Sequence, residues 1–388
     1  MYKLEGNICD NFTFLMKEIN EIIKAYKAVK LGNKKTALAT VVHVEGSSYR
    51  RPGARMLVTE DGLITGAISG GCLEGDALKK ALMAMYENKN KLVTYDTTNE
   101  SNASFGVQLG CNGIVHILFE PIDDTLKINP IELLQKASGE RKNAVLTTMF
   151  SLNRGNQPGT FLLLNDEGFV DNEGKIIDSS LKEKIKEDAK AALINEESVI
   201  NEYTVENEKT HAFIEVVKPA VSLIIYGAGN DAQPLVAIAD MLGWKVSIID
   251  GRHSHATQKR FPTVEMLTVS NAENALQNIV IDTQTVFVLM THNYNYDIEV
   301  LSQLIGTDCN YIGILGPKTK MERMYNDLSD KGFLITENIK DRIFSPVGLD
   351  LGAETSEEIA LSIVSEIQSF FTGKNGKSLR LKEQQIHH

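Results

Sequence analysis

The chain is 388 residues long with a formal net charge of −11. That length holds two or three domains, each able to bury a core, and the acidic balance argues against non-specific binding to nucleic acid or acidic membranes. Cys9, Cys72, Cys111 and Cys309 are spaced too widely for a CxxC motif or a small disulfide framework, no apolar run approaches the roughly 18 residues of a membrane span, and the opening MYKLEGNICD lacks the apolar core of a signal peptide. These features together imply a cytoplasmic protein with reduced thiols and no membrane span.

Residues 12–31 keep helical spacing through Leu15, Ile19, Ile22, Ile23, Tyr26 and Val29, and Gly32 stops the pattern. This face reads as core or as a dimer surface. Residues 36–44, TALATVVHV, read as a strand, with His43 expected as a core histidine rather than a base. The turn that follows places Arg50, Arg51 and Arg55 around Pro52-Gly53, and Asp61-Gly62 then marks a hairpin. Arginines clustered at a turn are either a solvated basic patch or a grip for a phosphorylated ligand.

Next comes GAISGGCLEGD, residues 66–76, feeding an amphipathic helix over 76–86. Gly70 and Gly71 allow close approach of a ligand to bare backbone, and successive amides there can cradle an anion. Cys72 stands just before the helix start, where the dipole favours a thiolate, with Glu74 beside it. The plain alternative is a tight turn with an ordinary buried cysteine. A second glycine-flanked cysteine, Cys111 in LGCNG, precedes the strand IVHILFE. A disulfide, a shared ligand and coincidence all remain open for the two thiols.

The pattern reads as an internal repeat, with two similar hairpins that arose without duplication as the alternative. Residues 143–175 echo 35–66: strand, turn, Pro-Gly, strand, acidic-Gly turn, then a helix over about 181–194. The second copy has no cysteine, and SLKEKIKEDAK replaces the glycine-rich loop. The residues the copies do not share, SGGCLEG and LGCNG, are therefore the functional candidates.

The C-terminal half opens on a strand at 223–226, the turn Gly227-x-Gly229-x-x-Ala232, a helix to about 242 and a strand at 246–249 ending in Asp250. Strand, glycine turn, helix, strand and terminal acid make the dinucleotide-binding fingerprint. Asp231 at the helix start opposes a pyrophosphate, and Arg252 competes with Asp250 over which ribose would fit. Binding of NAD(P) or of another nucleotide, and a Rossmann scaffold without NAD(P), all stay open. Strands at 286–290 and 311–315 end in polar loops, the first carrying His292, which is either a ligand-facing residue or a helix cap, and Thr355 with Glu358 forms a capping box.

The motifs GSSYRRPGARMLVTEDG, SGGCLEGDAL, LGCNG, IIYGAGNDAQPLVAIADMLGWKVSIIDGR, RFP, MTHNYNYD, ILGPKTK and PVGLDLGAETSEEIALSIVSEI together resemble the XdhC/CoxI family, in order and over nearly the whole chain. That family comprises accessory proteins for xanthine dehydrogenase and related molybdenum hydroxylases. The expected fold is α/β: an N-terminal α+β XdhC/CoxI-like domain with an internal repeat, and a C-terminal Rossmann-like doubly wound parallel sheet. The expected segments are a cysteine-containing domain over 1–122, a repeat-like segment over 123–218 packed with it, and the Rossmann-like domain over 219–388.

The resemblance implies a protein that binds molybdenum cofactor (molybdopterin), supports its sulfuration with a cysteine desulfurase, and delivers it to a xanthine dehydrogenase-type client. A cofactor-handling chaperone, as a homodimer, is favoured over a catalyst. By position, Cys72 and Cys111 would be the thiols at the cofactor and its metal. Arg50 and Arg55 would stand near its phosphate or pterin, with Gly70, Gly71 and Glu74 in the same loop. Gly227, Gly229, Asp250, Arg252 and His292 would line the Rossmann crevice. The alternatives are an NAD(P)-dependent oxidoreductase and a single-thiol sulfur carrier at Cys72. Three departures from the family pattern stand out: Tyr49 in place of a usual proline, Asn112 in place of a glycine, and Asn230-Asp231 in place of a His-Val type pair.

Overall fold

The computed structural model describes residues 13–98, 113–153, 155–172, 178–205 and 208–382. The chain forms two compact units, one ending at Pro219 and the other spanning Ala220–Lys382.

The first unit is built from two copies of one pattern. After helix α1 (Thr13–Lys30), the first copy runs β1 (Thr36–Gly46), β2 (Arg55–Thr59), β3 (Ile64–Gly66), α2 (Glu74–Glu87), β4 (Lys91–Asp96) and β5 (Gly113–Pro121). Helix α3 (Pro130–Ser138) leads to the second: β6 (Ala144–Phe150), β7 (Gly159–Asn165), β8 (Gly168–Asp171), α4 (Ser179–Asn195), β9 (Val199–Val205) and β10 (Glu208–Val217). The strand orders are β3-β2-β1-β5-β4 and β8-β7-β6-β10-β9, each sheet antiparallel throughout. The repeat read from the sequence is therefore a repeat of topology.

Alternation along the strands decides what each face covers. In the first copy Ala37, Ala39 and Val41 pack with Ala77, Ala81, Ala84 and Met85 of α2, whose alanines let the helix lie close to the sheet. In the second, Val145, Ile214 and Val216 pack against Leu181, Ile185 and Ala189 of α4. The opposite faces meet each other through Val42, Leu118, Phe150 and Phe213.

The register makes the two copies superimposable by position. Leu38 faces Glu120 as Leu146 faces Glu215, and Thr40 faces Arg55 as Thr148 faces Thr160. His116 and His211 likewise hold matching places on β5 and β10.

The second unit is a six-stranded parallel sheet in the order β13-β12-β11-β14-β15-β16. Its elements are β11 (Ser222–Tyr226), α5 (Ala232–Met241), β12 (Lys245–Asp250), β13 (Met266–Val269), β14 (Thr285–Leu289), α6 (Tyr294–Leu304), β15 (Ile312–Ile314), α7 (Lys318–Asp330), α8 (Glu337–Asp341), β16 (Ile343–Phe344) and α9 (Ser356–Thr372). A parallel sheet wound on both sides buries both faces, which is why its strands read as unbroken apolar runs. Leu223 and Ile225 pack with Leu235, Ala239, Ile363 and Ile367 on one side. Ile224 and Tyr226 pack with Leu301, Met324 and Leu328 on the other. Thr355 and Glu358 form the reciprocal capping box that starts α9.

Candidate functional site

The loop from Ser69 to Glu74 joins β3 to α2 and presents Gly70, Gly71 and Cys72 to solvent between buried Ser69 and Leu73. Ser69 is the hub that shapes it. Its hydroxyl accepts the Gly71 amide at 3.1 Å and the Leu73 amide at 3.1 Å, and donates to Glu74 Oε2 at 2.5 Å. The Ser69 amide donates to Glu74 Oε1 at 2.9 Å. Gly71 holds φ at +106°, which a side chain would resist. The Cys72 thiol, exposed and free of any disulfide, lies 3.5 Å from the Ser69 hydroxyl as a weak donor.

Glu74, expected as a ligand to the cofactor, is engaged within the loop itself. Both its oxygens are committed to Ser69. Burial alone would raise its pKa, yet the hydrogen bonds from Ser69 hold the carboxyl below its ordinary value. It fixes the loop that carries the thiol.

The arginines divide. Arg50 is half-buried and pairs with Glu18 of α1; burial pushes the Glu18 carboxyl up, against the pull of Arg50. Arg55, expected near the cofactor's phosphate or pterin, has a side chain only 1% exposed. Its guanidinium grips Glu215 of β10 with both terminal nitrogens and donates to Gly53 O at 2.8 Å. The structure thus places Arg55 in the core between the two repeats. A run of arginines at a turn does not reveal which one points inward, because the acceptor lies far along the chain. Cys111 and Asn112 lie outside the described residues.

Tyr49, noted in the sequence only as a departure, belongs beside the thiol loop. Its ring lies 3.4 Å from where a Cβ on Gly70 would stand, and the residue is 66% exposed. An exposed aromatic face beside bare glycine backbone is a surface on which a flat heterocycle stacks. Neither Ser69 nor Tyr49 belongs to a residue class that a search for thiols, arginines and acids picks out.

In the second unit the predicted crevice residues gather at the carboxyl ends of β11, β12 and β14. Gly227 has φ of +117°, and a Cβ there would meet Met290 O at 2.5 Å, so glycine is required where the turn after β11 passes close to the main chain following β14. Asp250 accepts the Ala228 amide at 2.6 Å and is clasped by Arg252 through its backbone amide at 2.8 Å and guanidinium nitrogens at 2.9 and 2.6 Å. Burial works to raise the Asp250 pKa, but these donors hold it below the usual carboxylate value.

Over Gly229 lies Asp231: a Cβ on the glycine would run into its Oδ1. The other oxygen meets His292 Nε2 at 2.7 Å. His292 holds φ of +57°, a costly place for a histidine. The capping of α6 falls to Asn293, which takes the amides of Asn295 and Tyr296, so the His292 ring is left to pair with Asp231. In a dinucleotide-binding turn the pyrophosphate rests where the Asp231 carboxylate now lies. A cleft of about 820 Å³ opens beside Gly251, His253, Ser270, Asn293 and Tyr296.

An exposed thiol on a braced glycine loop, in a duplicated antiparallel unit, together with a Rossmann unit whose glycine turn carries its own carboxylate, defines a thiol-bearing two-part α/β protein. Residues 223–367 match the XdhC Rossmann domain, and residues 31–96 match the XdhC and CoxI family. The chain is 30% identical over 334 residues to a probable xanthine dehydrogenase subunit of Bacillus subtilis (strain 168), spanning 86% of this chain and 92% of that one. It is 23% identical over 360 residues to the molybdenum cofactor insertion chaperone PaoD of Escherichia coli (strain K12), spanning 92% and 90%. The crystal structure of a xanthine dehydrogenase from Bacillus halodurans matches with a TM-score of 0.73 at 28% identity, over 94% of this chain and 98% of that one. The chain belongs to the XdhC and CoxI family. Among the described residues, no helix is long and apolar enough to cross a membrane.

Proposed function

We propose that this protein binds molybdenum cofactor at the Cys72 loop, shields it while sulfur is added, and passes it to a xanthine dehydrogenase-type molybdenum hydroxylase. The observation that carries this reading is the exposed Cys72 thiol on a glycine loop held rigid by Ser69 and Glu74. A bound cofactor would bring a soft metal–sulfur centre and a phosphorylated pterin. Cys72 supplies a soft ligand atom for such a centre. The Gly70-Gly71 backbone offers close approach, and the Tyr49 ring offers a stacking face. Cys111 is the second thiol in this proposal. Arg50, already paired with Glu18, contributes a partly neutralised positive edge.

The proposed division of labour follows the segments. Residues 1–122 carry the thiol loop, 123–218 form the matching scaffold, and 219–388 form the Rossmann-like part. The protein acts as a homodimer in the cytoplasm, with a cysteine desulfurase as sulfur donor. The relatives' names support the cofactor, the chaperone role and the client class.

The same exposed thiol favours a second reading, a single-thiol sulfur carrier. The Cys72 thiolate would attack the outer sulfur of a desulfurase persulfide, the desulfurase thiolate would leave, and Cys72 would hold the persulfide. The oxidoreductase alternative with NAD(P) loses support from Asp231, whose carboxylate lies over Gly229.

Titration of the purified protein with molybdenum cofactor tests the first reading. Cys72→Ser is expected to weaken binding at least tenfold, and Cys111→Ser to weaken it as well. Equal affinity in wild type and both variants rejects the thiol site. A mass increase of one sulfur at Cys72 after incubation with a desulfurase and cysteine supports the carrier reading, and an unmodified mass rejects it.

A further inference from the structure

The first repeat contains a cluster that the proposed function does not use. The β1–β5 register shifts between Val41 and His43, which bulges the strand at Val42. A bulge turns successive residues toward one face. Val42 and His43 accordingly both reach Phe150 of the second repeat, Val42 by apolar packing and His43 by ring stacking. His43 faces His116 across the strands, their rings stacked with centroids 5.4 Å apart. Glu45, two residues along, meets His116 Nε2 at 2.9 Å.

We propose that His43, Glu45 and His116 form a binding site for a borderline first-row divalent cation such as Zn²⁺. One ligand atom from each lies within 4.8 Å of the others, the one such group of three among the described residues. A tetrahedral ion with bonds of about 2.0–2.1 Å holds its ligands roughly 3.3 Å apart, so the triad closes on the ion by side-chain rotation. Two imidazoles and a carboxylate suit zinc, cobalt or nickel rather than the hard cations.

Three further observations support the site. His43 Nδ1 is buried without a hydrogen-bond partner, a state that native proteins rarely leave unanswered. His116 Nδ1 lies 3.0 Å from the Thr94 hydroxyl, which orients the ring so that Nε2 faces Glu45; metal-bound histidines are held in this manner. The Glu45 side chain is 50% exposed, so an ion has a way in and a water has room at the fourth position.

The second repeat serves as an internal comparison. His211 stands at the place of His116, but its cross-strand partner is Phe150 where the first copy has His43. The fold therefore accepts an apolar ring at that place, and the paired imidazoles of the first copy are a local addition.

The test is calorimetric titration of the chelator-treated full chain with Zn²⁺ alone. Wild type is expected to bind at least one equivalent, and a Cys72→Ser/Cys111→Ser variant, which removes any uptake by the thiols, is expected to keep one equivalent. His43→Gln and Glu45→Gln are each expected to lose at least tenfold. Melting curves recorded without metal check that the variants fold; Glu45→Gln alters a half-exposed side chain and keeps the chain testable if His43→Gln does not fold. Absence of stoichiometric binding in wild type overturns the proposal. So does unchanged affinity in Glu45→Gln, or loss of binding in the thiol variant.

Discussion

Arg55 and Glu215 form a doubly hydrogen-bonded ion pair in which each side chain is only 1% exposed. They come from opposite repeats, and the matching pair at the symmetry-related position is Thr160 with Glu120, joined at 2.7 Å through both the amide and the hydroxyl. Each repeat thus offers a glutamate to the other's second strand. One copy answers with a guanidinium and the other with a hydroxyl and a main-chain amide. The bidentate geometry gives the junction a fixed register, because a planar fork accepts only one orientation of the carboxylate.

Removal of one partner is expected to cost far more than removal of both. Arg55→Met leaves the Glu215 charge buried and unpaired, and is expected to lower unfolding stability by about 3–5 kcal/mol. Arg55→Met with Glu215→Leu recovers most of that loss. Denaturant unfolding of the single and double variants measures it. The double variant is also expected to keep cofactor affinity, since Arg55 faces the core; a parallel loss of affinity would return Arg55 to the ligand site.

The two described cysteines are expected to react very differently. Cys72 is exposed, whereas Cys309 is buried and its thiol is pushed up to about 11 by burial. Alkylation of the native protein at neutral pH, followed by peptide mapping, should label Cys72 promptly and Cys309 only after denaturation. Equal labelling of the two would contradict this arrangement.

Ser69→Ala removes the acceptor shared by the Gly71 and Leu73 amides and the donor to Glu74. The expected cost is about 1–2 kcal/mol of stability, because buried groups lose partners that water replaces poorly. The larger effect is expected at the thiol, as a several-fold change in Cys72 alkylation rate. Ser69→Thr restores the hydroxyl and is expected to recover much of that rate.

The two glycines of the Rossmann turn are expected to respond unequally to alanine. At Gly227 the new Cβ would strike main-chain Met290 O at 2.5 Å in a positive-φ position, and the cost is expected to exceed about 2 kcal/mol. At Gly229 it strikes the Asp231 carboxylate, the far end of a side chain that rotates away. That variant is expected to fold with a loss under about 1 kcal/mol. Thermal melts of the two decide the comparison.

Asp250 predicts a pH dependence. Its carboxyl is held below the ordinary value in the folded chain by Arg252 and the Ala228 amide, which outweigh the opposing effect of burial. Its contribution is therefore complete above the unfolded carboxylate range near pH ~4 and is lost as pH falls through the lower folded value. Asp250→Asn should melt well below wild type at neutral pH, and the gap should narrow as the solution is acidified. A gap that stays constant from neutral to acid pH would show that the charge is not what Asp250 contributes.

Local patterns in the chain are enough to place the Rossmann unit, since strand, glycine turn, helix, strand and acid follow one another within about thirty residues. The repeat pattern and the cysteine before α2 are legible for the same reason, each being written in contiguous sequence, but that the Cys72 thiol is exposed rather than buried is decided by the fold. What tertiary structure alone decided is where the charged side chains point. Arg55 finds its acceptor 160 residues away, and Asp231 finds His292 61 residues away. The three-ligand cluster likewise depends on a strand bulge and on a partner strand 71 residues along. A charged group's role is set by the partner that folding brings to it, and nothing in its own stretch of sequence records that partner.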